Sequence, residues 1–225
     1  MGYKITVDGY AATGKGTLTK ALASELNMLY VDTGMIYRTY GLYTIREKID
    51  ISNIEEATKK LLQANIRLDV LDNVAKAYIG DEDVSTLVRT EQVAAVTAKV
   101  AKIKSLRECV LKIQRDLGEK YNVIMEGRDI GSEVFPNAEL KLFLTADADE
   151  RAKRRYKELI EKGKETTYEE VRTQIINRDK EDTTREISPL RKTDDMIEID
   201  TTNLTIPQVL DMVKELVHKK GIGCF

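Results

Sequence analysis

The sequence predicts an α/β protein, a parallel sheet with helices on both faces. Three observations predict it. Short apolar runs that read as strands alternate with stretches of helical period. A glycine-rich turn over residues 9–17 joins the first run to the first helix. Two runs, 122–126 and 140–146, are apolar almost without a break, the pattern of central strands buried on both faces.

The elements follow in order. KITV, residues 4–7, reads as a strand ending at Asp8, and a helix over about 15–26 follows the turn. Residues 29–31 read as a second strand, closed by Asp32, Thr33 and Gly34. Helices are expected over about 36–47 and 54–64, the second with Ser52 as N-cap. IRLDVLD and VAKAYIG then alternate around Asp72 and Asn73, as an antiparallel hairpin does, with Glu82 to Val84 as a third short strand. This segment interrupts the α/β alternation and reads as an insert. Helices over about 90–102 and 104–117 lead to the strand 122–126. After the strand 140–146 come a highly charged helix over about 149–162, a loop at 163–167 and a helix over about 168–180. Residues 196–200 and 206–219 form the last strand and helix, and Pro136, Pro189 and Pro207 all fall at boundaries.

Composition excludes several classes. A chain of 225 residues that is 42% hydrophobic and 33% charged has an ordinary globular balance. With 36 basic and 38 acidic side chains the net charge is -2, so no whole-molecule attraction to nucleic acid or anionic membrane is expected. No apolar run approaches the roughly 20 residues that span a bilayer. The N-terminus runs straight into a strand rather than a secretory signal, and the reading is a cytoplasmic protein. Cys109 and Cys224 stand apart without a motif, as reduced thiols do. One histidine, His218 in a charged helix, leaves no histidine-based catalysis or metal site.

The glycine-rich turn carries the first chemistry. Gly9, Tyr10, Ala11, Ala12, Thr13, Gly14, Lys15, Gly16 and Thr17 match G-x-x-x-x-G-K, with Gly16 before the hydroxyl residue. The three fixed positions recur by chance in roughly one chain of this length in fifteen. The strand before and the helix after raise the signal, because backbone amides at a helix start make a nest for phosphate oxygens. Lys15 reaches terminal phosphates, and the hydroxyl of Thr17 stands beside a magnesium ion. Glu126, ending the strand 122–126, supplies a carboxylate for the same ion. Arg38, Arg128, Arg178 and Arg185 stand beside Gly or Asp in short motifs, suited to bidentate phosphate binding. Arg151 and Lys153 read as a solvated helix face.

The GKGT loop, DTGMIYR (32–38), EGRDIG (126–131), the pair RAKRR (151–155) and NRDKEDTTR (177–185), and DVSTLVRTEQV (83–93) together resemble the bacterial-type cytidylate kinases. The resemblance runs from Lys4 to about Val217. It implies a single kinase domain with a P-loop NTPase core of about 1–60, 120–150 and 186–225. It adds a small mixed α/β insert for the nucleoside monophosphate over about 61–119, and a helical lid over about 151–185. It implies ATP-dependent phosphorylation of CMP and dCMP with Mg2+, and nucleotides as partners. No exposed apolar heptad or long unpaired edge stands out, so a monomer is expected.

By the resemblance, the loop 9–17 binds ATP. Arg38, Arg128 and Arg185 grip the acceptor phosphate, with Thr33 alongside. Arg178 and Asp182 lie near its sugar and phosphate, and Arg107 and Asp129 read the cytosine edge. Lys15, Arg128, Arg154, Arg155 and Arg185 are the catalytic set, with Arg154 and Arg155 closing over the donor phosphates. The chain departs from relatives at Tyr10 and Ala12, where Pro and Gly are common, and at Thr33, where Ser is usual. Glu126 replaces Asp, and Ala98, beside Thr97, stands where a base-contacting Ser is expected. Two other readings stay open: a kinase for UMP, AMP, shikimate or dephospho-coenzyme A, and a nucleotide-binding switch without phosphotransfer.

Overall fold

A computed structural model describes residues 2–223, so Cys224 lies outside the described residues. In chain order the first elements are β1 (Lys4–Gly9), α1 (Lys15–Glu25), β2 (Leu29–Asp32), α2 (Thr33–Arg46) and α3 (Ile54–Leu62). Then come β3 (Ile66–Leu71), β4 (Val74–Ile79), β5 (Glu82–Asp83), α4 (Glu91–Val100), α5 (Lys104–Lys120) and β6 (Val123–Glu126). The last are β7 (Leu140–Thr145), α6 (Ala148–Glu161), α7 (Tyr168–Thr184), β8 (Ile197–Asp200) and α8 (Ile206–Lys219). By packing these form two units, one of Gly2 with residues 28–123 and one of residues 3–27 with 124–223.

In the unit of residues 3–27 and 124–223 the strand order is β6-β1-β7-β8. β1 pairs β7 in parallel with Val7 opposite Leu142, and β7 pairs β8 in parallel with Phe143 opposite Glu198. Ile5, Val7, Ile124, Met125 and Leu142 are fully buried, which is why these strands read as unbroken apolar runs. Each such side chain contributes about 1.5–3 kcal/mol of transfer free energy. The parallel α/β order predicted from alternation holds. A short π-helical turn, Ile130–Val134, was not legible in advance, since five residues carry no period.

In the other unit β3 and β4 form the expected antiparallel hairpin, with Leu68 opposite Ala77, and β5 pairs with β4. β4 meets β2 in parallel at one position, Tyr30 opposite Val74. Ile36, Tyr40, Ala57, Leu61, Val100, Leu106 and Val110 form one core, so α2 and α3 pack with the insert's helices.

Several boundaries differ from expectation, and at α2 and α3 the reason is the cap. α2 starts at Thr33 rather than Ile36 because the Asp32 carboxylate accepts from Met35 N at 3.2 Å. α3 is capped by Asn53, whose Oδ1 accepts from Glu56 N; Ser52 is not the cap, its N and hydroxyl both being bonded to Asp50. α7 runs on to Thr184, four residues past the expected end. A complete capping box at Thr167 and Glu170 fixes its start.

The hairpin turn places Asp72 at φ 51° and Asn73 at φ 55°, the left-handed pair that a two-residue turn of this hand requires. Asn73→Val puts a β-branched residue into that region. It is expected to lower stability by about 1–2 kcal/mol, read as a lower urea midpoint with an unchanged slope.

Candidate active site

β1 delivers the chain to Gly9 at φ 140°, where a Cβ would fall 2.0 Å from the Leu144 carbonyl oxygen of β7. Only glycine fits that approach. The turn then places Ala12 at φ 59° and Gly14 at φ 87°. Gly14 is the N-cap of α1, and no side chain caps the helix, so its first-turn amides are left for a ligand. Lys15, 5% exposed, donates to the Tyr10 carbonyl and to the Thr13 hydroxyl at 3.3 Å. Burial pushes its pKa well below the usual lysine value, and the charges of Arg128 and Arg178 push the same way; Glu126 and Asp8 oppose them. A Cβ on Gly16 would lie 3.0 Å from Glu126 Oε1, so the bare glycine lets the strand-end carboxylate close on the helix start. Thr17 is exposed at that helix start.

A second cluster gathers in the same unit. Asp182 accepts from Arg128 Nε at 2.7 Å and stands 3.9 Å from Arg178 Nε. Arg185 lies 3.5 Å from Asp129 and donates to the Ser188 carbonyl at 2.6 Å. Arg128 and Asp129 therefore face Asp182 and Arg185 across two elements. Arg128 thus meets Asp182, 54 residues further along the chain, and Arg178 and Arg185 stand beside the same pair of carboxylates.

In the unit of residues 28–123, Arg38 donates to Asp32 at 2.6 Å, and Arg89 lies 3.8 Å from the same carboxylate. Arg38 Nε is buried with no hydrogen-bond partner among the described residues. Thr33 is buried at the first position of α2. Arg107 lies 5.4 Å from the Tyr37 ring centroid and donates to the Ala101 carbonyl at 3.3 Å. The Thr97 hydroxyl is turned onto the Val93 carbonyl at 2.6 Å, and Ala98 is exposed, so Thr97 does not substitute for a hydroxyl at position 98.

The charged helix α6 divides its residues. Arg154 bonds the Thr201 and Thr202 carbonyls at 2.7 and 3.0 Å, and Arg155 pairs with Glu158 at 2.7 Å. The expected solvated face holds for Lys153, 66% exposed, and fails for Arg151, which is buried with a full set of partners. Residues that sequence reasoning missed include Asp8, whose carboxylate accepts from Ile130 N at 2.9 Å and Gly131 N at 2.7 Å. Its only signal was an acid inside an otherwise apolar strand. Asp32 was read as the end of a strand and is both a helix cap and an arginine partner.

A parallel sheet, a glycine turn at the end of its first strand and a buried lysine entering a helix define a phosphate-loop nucleotide-binding protein of the α/β class. The family model described as Cytidylate kinase matches residues 5–219. Proteins named cytidylate kinase from Bacillus subtilis and Fusobacterium nucleatum are 42% and 44% identical over 96% of this chain, and the alignment spans 97% of each. One from Caldicellulosiruptor saccharolyticus is 44% identical over 96% of the chain and 95% of its own length. The chain belongs to the cytidylate kinase family.

Burial raises the Asp8 carboxyl from 3.8 to about 6, against the two amides and Lys15 that pull it down. The folded chain therefore holds more protons than the unfolded chain between those values. The stability this group contributes falls as pH rises through that window, by roughly 3 kcal/mol in all. Urea unfolding of the wild type and Asp8→Asn between pH 4 and 7 is expected to show the wild-type advantage shrinking as pH rises. A constant difference would refute the assignment.

Proposed function

We propose that this chain transfers the terminal phosphoryl group of ATP to CMP and dCMP. The observation that carries the reading is the crowding of cations in one unit. Lys15 is buried at the start of α1, where burial and then the charge of Arg128 depress its pKa, and Arg128, Arg178 and Arg185 gather on Asp182 and Asp129. Glu126, Asp8 and Asp182 offset part of this repulsion, and phosphoryl groups are further anions of the right charge and shape. Family membership supplies the acceptor.

In this reading the amides and side chains of residues 9–17 hold the donor phosphates, and Lys15 follows the transferring group. Arg128 and Arg185, with Arg38, hold the acceptor phosphate, and Thr33, Arg178 and Asp182 orient it. Arg107 and Asp129 read cytosine, whose exocyclic amine donates where uracil has only an acceptor. Residues 151–185 form the lid, with Arg154 and Arg155 leaving their partners Thr201, Thr202 and Glu158 to close over the donor phosphates. The acceptor phosphate is already ionised, so no general base is required. The protein's work is alignment, neutralisation and exclusion of water.

Mg2+ fits the residues present. It takes oxygen ligands and few of them from protein, and the Glu126 carboxylate against Gly16, with the Thr17 hydroxyl at the same helix start, offers that set. When bound, the ion neutralises phosphate charge during transfer. No helix among the described residues is long and apolar enough to cross a membrane. We place the enzyme in the cytoplasm as a monomer with nucleotides as its partners.

A coupled assay with ATP and a panel of CMP, dCMP, UMP and AMP tests the reading. Turnover is expected on CMP and dCMP, and preference for UMP or AMP would overturn the acceptor. Lys15→Ala should lower kcat by about 100- to 1,000-fold. Asp129→Asn should reduce the preference for CMP over UMP by about tenfold or more while ATP affinity stays the same.

A further inference from the structure

Arg151 has partners that the proposed transfer does not use. It lies on α6 and is 4% exposed. Its nitrogens reach three segments of one unit. Nε donates to the Ala146 carbonyl at 2.9 Å, NH1 to the Ala11 carbonyl at 3.3 Å, and NH2 to Asp179 on α7 at 2.6 Å. The guanidinium also lies 5.1 Å from the Tyr10 ring centroid, and Tyr10 meets Phe143 edge-on at 5.9 Å.

The adjacent loop residue adds a contact of another kind. Ala12 packs against Ala152, Val171 and Ile175, the apolar cluster between α6 and α7. Three consecutive loop residues are thus held from these two helices: Tyr10 by its ring, Ala11 by its carbonyl and Ala12 by its methyl. The loop needs such holding, because a non-glycine residue at φ 59° is disfavoured by about 1–2 kcal/mol.

The bonds to Ala146 and Asp179 tie α6 to the chain just before it and to α7. Those to Ala11 and Tyr10 act on the phosphate loop instead. The C=O and N–H of a peptide point in opposite directions, so fixing the Ala11 carbonyl on Arg151 turns the Ala12 N–H away from α6.

We propose that Arg151 is a positioning residue for the phosphoryl donor, holding residues 10–12 of the phosphate loop in their ligand-binding shape from the α6–α7 pair. The inference rests on the reading that residues 9–17 bind ATP, and it does not depend on which acceptor is used. Asp179 keeps the guanidinium aimed, and the loop in turn presents its amides.

Titration calorimetry of ATP and of CMP, with steady-state kinetics, separates the possibilities. Arg151→Ala is expected to weaken ATP binding about tenfold while CMP affinity stays within about twofold. Arg151→Lys, which keeps the charge but not the fork, should recover part of that loss. Asp179→Asn, with similar shape and no charge, should weaken ATP about threefold; it and Tyr10→Leu carry the test if Arg151→Ala does not fold. Unchanged ATP affinity in the folded variants would overturn the proposal, as would an equal loss for both nucleotides accompanied by a lower melting temperature. Wild-type protein that binds ATP but does not phosphorylate CMP would sink the acceptor assignment and leave this test intact.

Discussion

Like charges held close together are the constraint around which the rest of the site is arranged. Lys15 is buried beside the charges of Arg128 and Arg178. Water does little to relieve a charge so enclosed, so the fold must supply anions of its own until a ligand does. It does so with carboxylates on fixed elements. Glu126 closes on the start of α1, and Asp8 sits at full burial behind the loop.

The same device recurs at each arginine that sequence reasoning assigned to the acceptor's phosphate or sugar. Asp182 accepts from Arg128 and lies near Arg178, Asp129 sits by Arg185, and Asp32 holds Arg38. A guanidinium aimed by a neighbouring carboxylate loses less freedom when a phosphate arrives. On the proposed reading, the acceptor side is therefore prepared in direction before it is occupied. Selectivity for cytosine is then a separate matter, resting on hydrogen-bond donors and acceptors rather than net charge.

A nucleotide-binding switch would need the loop but not this second collection of arginines. Arg128, Arg178 and Arg185 lie in the unit that carries the loop, which favours transfer over simple binding. The α6–α7 pair extends the argument, since it touches the loop through polar, aromatic and apolar contacts at once. Burying an arginine costs least when its nitrogens and charge find partners; each Arg151 nitrogen has one, and Asp179 answers its charge. Arg154 makes a parallel attachment through Thr201, whose hydroxyl bonds the Thr13 carbonyl at 3.2 Å.

Local pattern alone determined the order of strands and helices, the hairpin with Asp72 and Asn73 at its turn, the glycine loop and the family, because each is written in residues near one another. Period, turn preference and motif spacing act over a few positions, and they act before the chain folds. Tertiary structure decided which charges are buried and what they face. Arg151 and Lys153 stand two residues apart on one charged helix, yet one is enclosed by Ala11, Ala146 and Asp179 while the other is solvated. Asp8 and Asp182 likewise take their roles from partners more than 50 residues away. The energy of a charge depends on its surroundings in space, and those are set only when distant segments pack.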